Sequence, residues 1–152
     1  MCIRDRAFAH LNNITIEHLR LGKKRIPEQI VINRNHQRFS IGFLQTDGSS
    51  FTFRIKNYNE LVIKCQDINF LLLRDIRRPL ITGRVGKEEK NKLNSLANGQ
   101  FKIMNQDSRI DFELIYQLVV DLNNQDLDIP LTEALKIIIE QFSSYWLIKI
   151  LT

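Results

Sequence analysis

Asp47 is the residue of this chain best placed to do chemistry. It precedes Gly48 at the end of the run RIPEQIVINRNHQRFSIGFLQTDG, Arg25 to Gly48. The run reads as an extended lead-in, a helix of about a dozen residues and an abrupt stop. Asn33 and Asn35 are helix-cap types. Phe39 and Phe43 are four apart and share a face. Gly42 and Thr46 make a second face, of small side chains, which lets another helix approach closely. Gly48 can take the left-handed conformation that ends a helix. In this reading Asp47 lies in the last turn, where the helix dipole disfavours a carboxylate by about 0.3–1 kcal/mol. A bound cation is the simplest compensation. Asp-Gly is also a common turn pair, and that plainer reading stays open.

The second set of candidates is basic. Ser50 to Lys56, SFTFRIK, alternates Phe51, Phe53 and Ile55 with Thr52, Arg54 and Lys56, the pattern of a half-buried strand. Leu80 to Val85 reads as a second strand with Thr82 and Arg84 on its polar face. Gln100 to Met104 reads as a third, with Phe101 and Ile103 inward and Lys102 outward. One sheet presenting Thr52, Arg54, Lys56, Thr82, Arg84 and Lys102 suits phosphate contacts with base-reading groups beside them. Plain solvated strand faces are the alternative. His10 and His18 have no partner at metal-ligand spacing. Cys65 sits in an apolar stripe and reads as a small core residue.

Helices are expected to carry these strands. Asn57 caps one from about Tyr58 to Arg74, with Leu61, Cys65, Ile68 and Leu72 as its apolar stripe. Asp107 to Leu122 reads as another, with Ile110, Leu114, Leu118 and Leu122 in register. The last runs from about Leu131 to Leu151 and is apolar over most of its circumference. Residues 7–21 read as a short helical or mixed segment. MCIRDR, residues 1–6, resembles translated sequencing-adapter read-through and is set apart from the fold. The order is α+β.

SIGFLQTDG, Ser40 to Gly48, resembles the LAGLIDADG helix of homing endonucleases, with Gly42, Asp47 and Gly48 at matching positions. LRLGKKRIPEQI, Leu19 to Ile30, is similar to the lead-in of the second such helix in the intein-associated (DOD-type) branch. NELVIKCQDINFLLLRDI, Asn59 to Ile76, is similar to a downstream helix of that branch. Gln45 replaces the first acid of the motif, and the segment from Gly48 to Asn57 is short for the family's first hairpin. The resemblance implies an αββαββα-like unit over residues 25–124, with an antiparallel sheet, helices on one face, and an extra C-terminal helix over 125–152. Residues 7–24 would be a linker or the end of a lost first repeat. It implies a mobile-element nuclease in which two motif helices pack side by side, each giving one acid. This chain shows one such helix, so a homodimer or a second repeat is needed. Asp47 would then be the catalytic residue and a Mg2+ ligand, with Gly42, Thr46 and Gly48 at the helix-packing face. The family's additional active-site lysine has no matching motif position in this sequence, and Lys102 is only a guess at it by position.

The 152 residues are 43% hydrophobic and 26% charged, which is globular composition. Two cysteines suit a reducing, intracellular compartment. No apolar run reaches membrane-spanning length. Charge is segregated: residues 1–104 carry 19 Lys and Arg against 9 Asp and Glu, while residues 105–152 carry 3 against 8. A basic part of net +10 suits a polyanion; an acidic part of net −5 does not. There is no phosphate-cradling glycine loop, HExxH, CxxC or GxSxG. Three functions follow: a magnesium-dependent hydrolase cutting double-stranded DNA, a non-catalytic DNA binder derived from the same family, or a small α+β interaction module docking through its last helix.

Overall fold

A computed structural model describes residues 14–21, 26 and 28–151. The adapter-like hexapeptide, His10 and the Lys23-Lys24-Arg25 cluster lie outside the described residues. The strands are β1 (Ile14–Leu19), β2 (Gln29–Arg34), β3 (Gln37–Phe43), β4 (Ile68–Asp75) and β5 (Gly99–Met104). The helices are α1 (Gly48–Lys64), α2 (Arg84–Ser95), α3 (Gln106–Asn123), α4 (Leu131–Gln141) and α5 (Trp146–Leu151). The strands form one sheet in the order β1-β2-β3-β4-β5. The fold class is α+β, as expected, but the sheet is mixed. β2 and β3 are antiparallel, while β3, β4 and β5 run parallel through the crossover helices α1 and α2. This is not the αββαββα order. The chain divides into two compact units, Glu17–Asn105 and Met1–Ile16 with Gln106–Thr152.

The differences from the sequence expectation concentrate between Asn33 and Arg84. SIGF lies in strand β3, where Ser40 and Gly42 are buried and Phe43 is exposed. Asn33 and Asn35 are not helix caps: Asn33 lies in β2, and Asn35 with His36 has positive φ, 46° and 65°, between the paired residues Arg34 and Gln37. That is the two-residue turn whose twist matches a hairpin. SFTFRIK is helix, not strand. Phe51, Ile55, Tyr58 and Val62 recur at helical spacing and all are buried, whereas Phe53 is exposed. The 2-residue alternation and the 3.6-residue stripe share Phe51 and Ile55, and the longer stripe buries more. INFLLLRD, expected to continue a helix, is strand β4. Leu71, Leu72 and Leu73 are all buried, so both strand faces are covered, as a central parallel strand requires. Residues 80–83 are loop, and Arg84 opens α2 instead of lying on a strand. β5 and α3 span the expected residues, though Ile103 is exposed, and α3 buries Ile115, Val119 and Leu122 while Ile110 and Leu114 of the expected stripe are exposed. Residues 14–19, expected in a helical or mixed segment, form β1.

The core of the Glu17–Asn105 unit lies between the sheet and α1. It gathers Val31, Phe51, Ile55, Val62, Phe70 and Leu72 with Leu93 of α2 and Phe101 of β5. Asn98 joins α1 to the sheet: its Nδ2 donates to the carbonyls of Val62, Cys65 and Ile68, each at 3.0 Å. Two of those carbonyls belong to the C-terminal end of α1, which needs outside donors. In the second unit the last helix is not continuous. It breaks at Phe142, and α5 begins at Trp146. Leu135, Ile138 and Ile148 are buried, and the Phe112 and Trp146 rings stack at 6.4 Å. Among the described residues no helix is long and apolar enough to cross a membrane.

Candidate functional site

Parallel strands joined by helices on one face bring their carboxyl ends together, and ligands of such sheets bind beyond those ends. Here β3 and β4 deliver the loops 44–47 and 76–83 to that end. Arg74 joins them. It sits near the end of β4 on the face of Phe70 and Leu72 and is 3% exposed. Its Nη1 donates to the carbonyls of Leu44 at 3.1 Å and Thr46 at 2.7 Å. Its Nη2 donates to Asp47 Oδ1 at 2.6 Å and to the Pro79 carbonyl at 3.0 Å. The guanidinium lies over the Phe51 ring, 5.1 Å from its centroid, a stabilising cation–π geometry.

Asp47 is the N-cap residue of α1, not part of a helix's last turn. The dipole that would oppose a carboxylate there favours it here. Its side chain caps nothing, because Arg74 takes Oδ1 and Arg78 approaches Oδ2 at 3.4 Å. Magnesium takes one or two carboxylates and several waters. The residues present do not fit that ion, since both Asp47 oxygens face guanidinium groups that repel a dication. Asp75 is committed too, to the Arg77 side chain at 2.6–3.0 Å. Among the described residues no three His, Cys, Asp or Glu side chains are grouped to hold a metal.

No family model, curated protein or solved structure matches the chain.

A cavity of about 330 Å³ opens beside Arg74, between the N-terminal ends of α1 and α2. Gly48, Ser49, Thr52, Leu80, Thr82 and Gly83 line it, with no histidine or cysteine in its walls. The residues expected at a helix-packing face separate. Gly42 lies in β3 under Leu72 and Tyr58. Thr46 lies in the β3–α1 loop with its Oγ1 buried and unpartnered. Gly48 opens α1 at φ +55°. The residues expected on one sheet face separate as well. Thr52, Arg54 and Lys56 are on α1, Thr82 is in a loop, Arg84 is on α2, and only Lys102 is on a strand. Thr52 is spent locally, its hydroxyl donating to the Gly48 carbonyl at 3.3 Å.

Two features escape the sequence reading. Arg74 is one; an arginine inside the apolar run INFLLLRD is its signal, because a buried cation demands a counter-ion. The other is a buried polar chain beneath α1. Ser40 Oγ donates to Gln29 Oε1 at 3.1 Å, and Gln29 Nε2 donates to Tyr58 OH at 3.4 Å. Burial pushes the Tyr58 hydroxyl above its ordinary value of 10.0, while the Gln29 hydrogen bond and the Arg54 charge pull it back less. A folded-state pKa above the unfolded value means that the stability from neutral Tyr58 is complete below about pH 10. It is lost as pH rises through the folded value. Urea titrations at neutral and strongly alkaline pH should therefore show a smaller alkaline loss for Tyr58→Phe than for wild type.

Proposed function

We propose that the Glu17–Asn105 unit binds double-stranded DNA through cations on its helices and edge strand, without cutting it. One observation carries this reading: the acids of the unit are spent on internal partners while many of its cations are not. The unit holds 17 Lys and Arg against 8 Asp and Glu. Glu17 and Asp67 pair with Arg38, Asp47 with Arg74, Asp75 with Arg77, and Glu88 with Arg84. Glu89 accepts a hydrogen bond from Asn59. Arg54, Lys56 and Lys64 of α1, Lys87 and Lys92 of α2, and Lys102 of β5 are exposed, and none pairs with an acid among the described residues. DNA is chosen among polyanions on the sequence resemblance of SIGFLQTDG to a DNA-cutting family, a likeness of residues and not of fold, since SIGF is strand here. Binding of a labelled duplex should weaken steeply with salt, the slope of log affinity against log salt changing by about 0.9 per phosphate contact. Lys56→Glu with Lys64→Glu, and Lys87→Glu with Lys92→Glu, should each weaken binding uniformly across sequences and flatten that slope. Salt-independent binding, or none, sinks the reading.

The same resemblance supports a second reading, Mg2+-dependent homing-type cleavage with a second repeat or a second copy. It needs Asp47 released from Arg74 and Arg78. Incubation of a randomised duplex library with magnesium should leave the DNA uncut by wild type, and cleavage abolished by Asp47→Asn would overturn that expectation.

A further inference from the structure

The loop after β4, IRRPLITG from Ile76 to Gly83, carries the two most exposed large apolar side chains among the described residues. Leu80 is 83% exposed and Ile76 is 54% exposed. Their exposure does not come from a loose loop. The Ile76 amide donates to the Met104 carbonyl at 3.1 Å, the Arg77 amide to Asp75 Oδ1 at 2.8 Å, and the Arg78 amide to the Asp75 carbonyl at 3.1 Å. Pro79 offers its carbonyl to buried Arg74, and Ile81 packs against the core. Leu80 is therefore held out to solvent between a braced proline and an anchored isoleucine. Arginines flank it. Arg84 is engaged through Nε with Glu88, and Arg78 through Nη1 with Asp47 at 3.4 Å. Each keeps further guanidinium donors for a phosphate, which arginine can grip with two parallel bonds.

We propose that this loop is a wedge that inserts Leu80 between base pairs of duplex DNA, with Arg78 and Arg84 gripping the phosphates on either side. The proposal rests on the DNA-binding reading and specifies how that surface engages its ligand. Leucine and proline are side chains that proteins insert between base steps, partly unstacking them and kinking the duplex. A lipid surface is the weaker fit, because stable membrane attachment needs more buried apolar surface than one or two side chains supply. Arg78 and Arg84, two and four residues from Leu80, bring positive charge to the same loop for neighbouring phosphates, and the bracing of the loop lowers the ordering cost of insertion.

The test is Leu80→Ala in the full chain, with binding to a labelled duplex followed by anisotropy and bending by energy transfer between the duplex ends. Leu80 is so exposed that the urea midpoint should not move. The expected result is affinity down by about ten-fold or more, consistent with losing one buried leucine side chain. The bend should be lost and the salt slope unchanged, because no charge is removed. Wild-type affinity and bend in Leu80→Ala would overturn the wedge and leave the DNA-binding reading standing, provided the lysine reversals still weaken binding. Leu80-dependent binding to anionic lipid vesicles, with duplex binding unaffected, would also overturn it. No duplex binding by the wild type would overturn the wedge and the DNA-binding reading together.

Discussion

Arg74→Met should destabilise the Glu17–Asn105 unit by about 3–5 kcal/mol, the usual cost of breaking a buried, hydrogen-bonded charge pair from one side. Four acceptors lose their donor at once: the carbonyls of Leu44, Thr46 and Pro79, and Asp47 Oδ1. The contact with Phe51 goes too. Methionine keeps the apolar stem, so the loss isolates the guanidinium. Arg74→Lys should recover only part, since one ammonium has three donors on a single nitrogen and cannot span four acceptors in a fork. The companion variant, Asp47→Asn, fixes the role of the acid by its sign. A carboxylate awaiting a cation in the last turn of a helix would be relieved by neutralisation, giving a gain of about 0.3–1 kcal/mol. Asp47 as the counter-ion of Arg74 gives a loss instead. That loss should be smaller than for Arg74→Met, because the Asp47 side chain is 41% exposed and Arg74 keeps three carbonyls. Urea melts of the three variants read the order directly. A stabilised Asp47→Asn would refute the counter-ion role.

The second large effect is expected at Gly42. A Cβ there would stand 2.8 Å from Leu72 Cδ2 and 3.2 Å from Tyr58 OH. Leu72 is fully buried and Tyr58 nearly so, so neither can swing aside without disturbing the core around it. Gly42→Val adds two further carbons to the same space. Overpacking of this kind costs about 1–3 kcal/mol, and we expect the upper end, with a fall in melting temperature on the order of 10 °C. The effect should not depend on protein concentration. In a helix that packs against a second copy, the same substitution would loosen association, and the melt would shift with dilution. A dilution-dependent loss would therefore restore the helical reading of Ser40 to Gly48.

These two residues show where the sequence was sufficient and where it was not. The spans of β5 and α3 were legible because each pattern admits one period: Gln100 and Lys102 alternate about Phe101, and apolar residues recur at helical spacing through α3, although the buried face proved to be Ile115, Val119 and Leu122 rather than the expected Ile110 and Leu114. The α+β class was legible for the same reason, since both periods recur along the chain. The stretch from Ser40 to Asp75 was not. Phe51 and Ile55 satisfy a strand and a helix equally, and the run from Phe70 to Leu73 suits a buried strand as well as a buried helix. What decided between them was which neighbours each state could cover. Val31, Phe70 and Phe101 meet the stripe of α1, and Leu72 covers Gly42. The chemistry of Asp47 was undecided for the same reason. Composition supplied an excess of cations and a carboxylate beside a glycine. Which cation meets which carboxylate depends on contacts across 27 positions of sequence, from Arg74 back to Asp47. A buried guanidinium must find a counter-ion when the sheet closes, and only the tertiary structure determined that it is this aspartate.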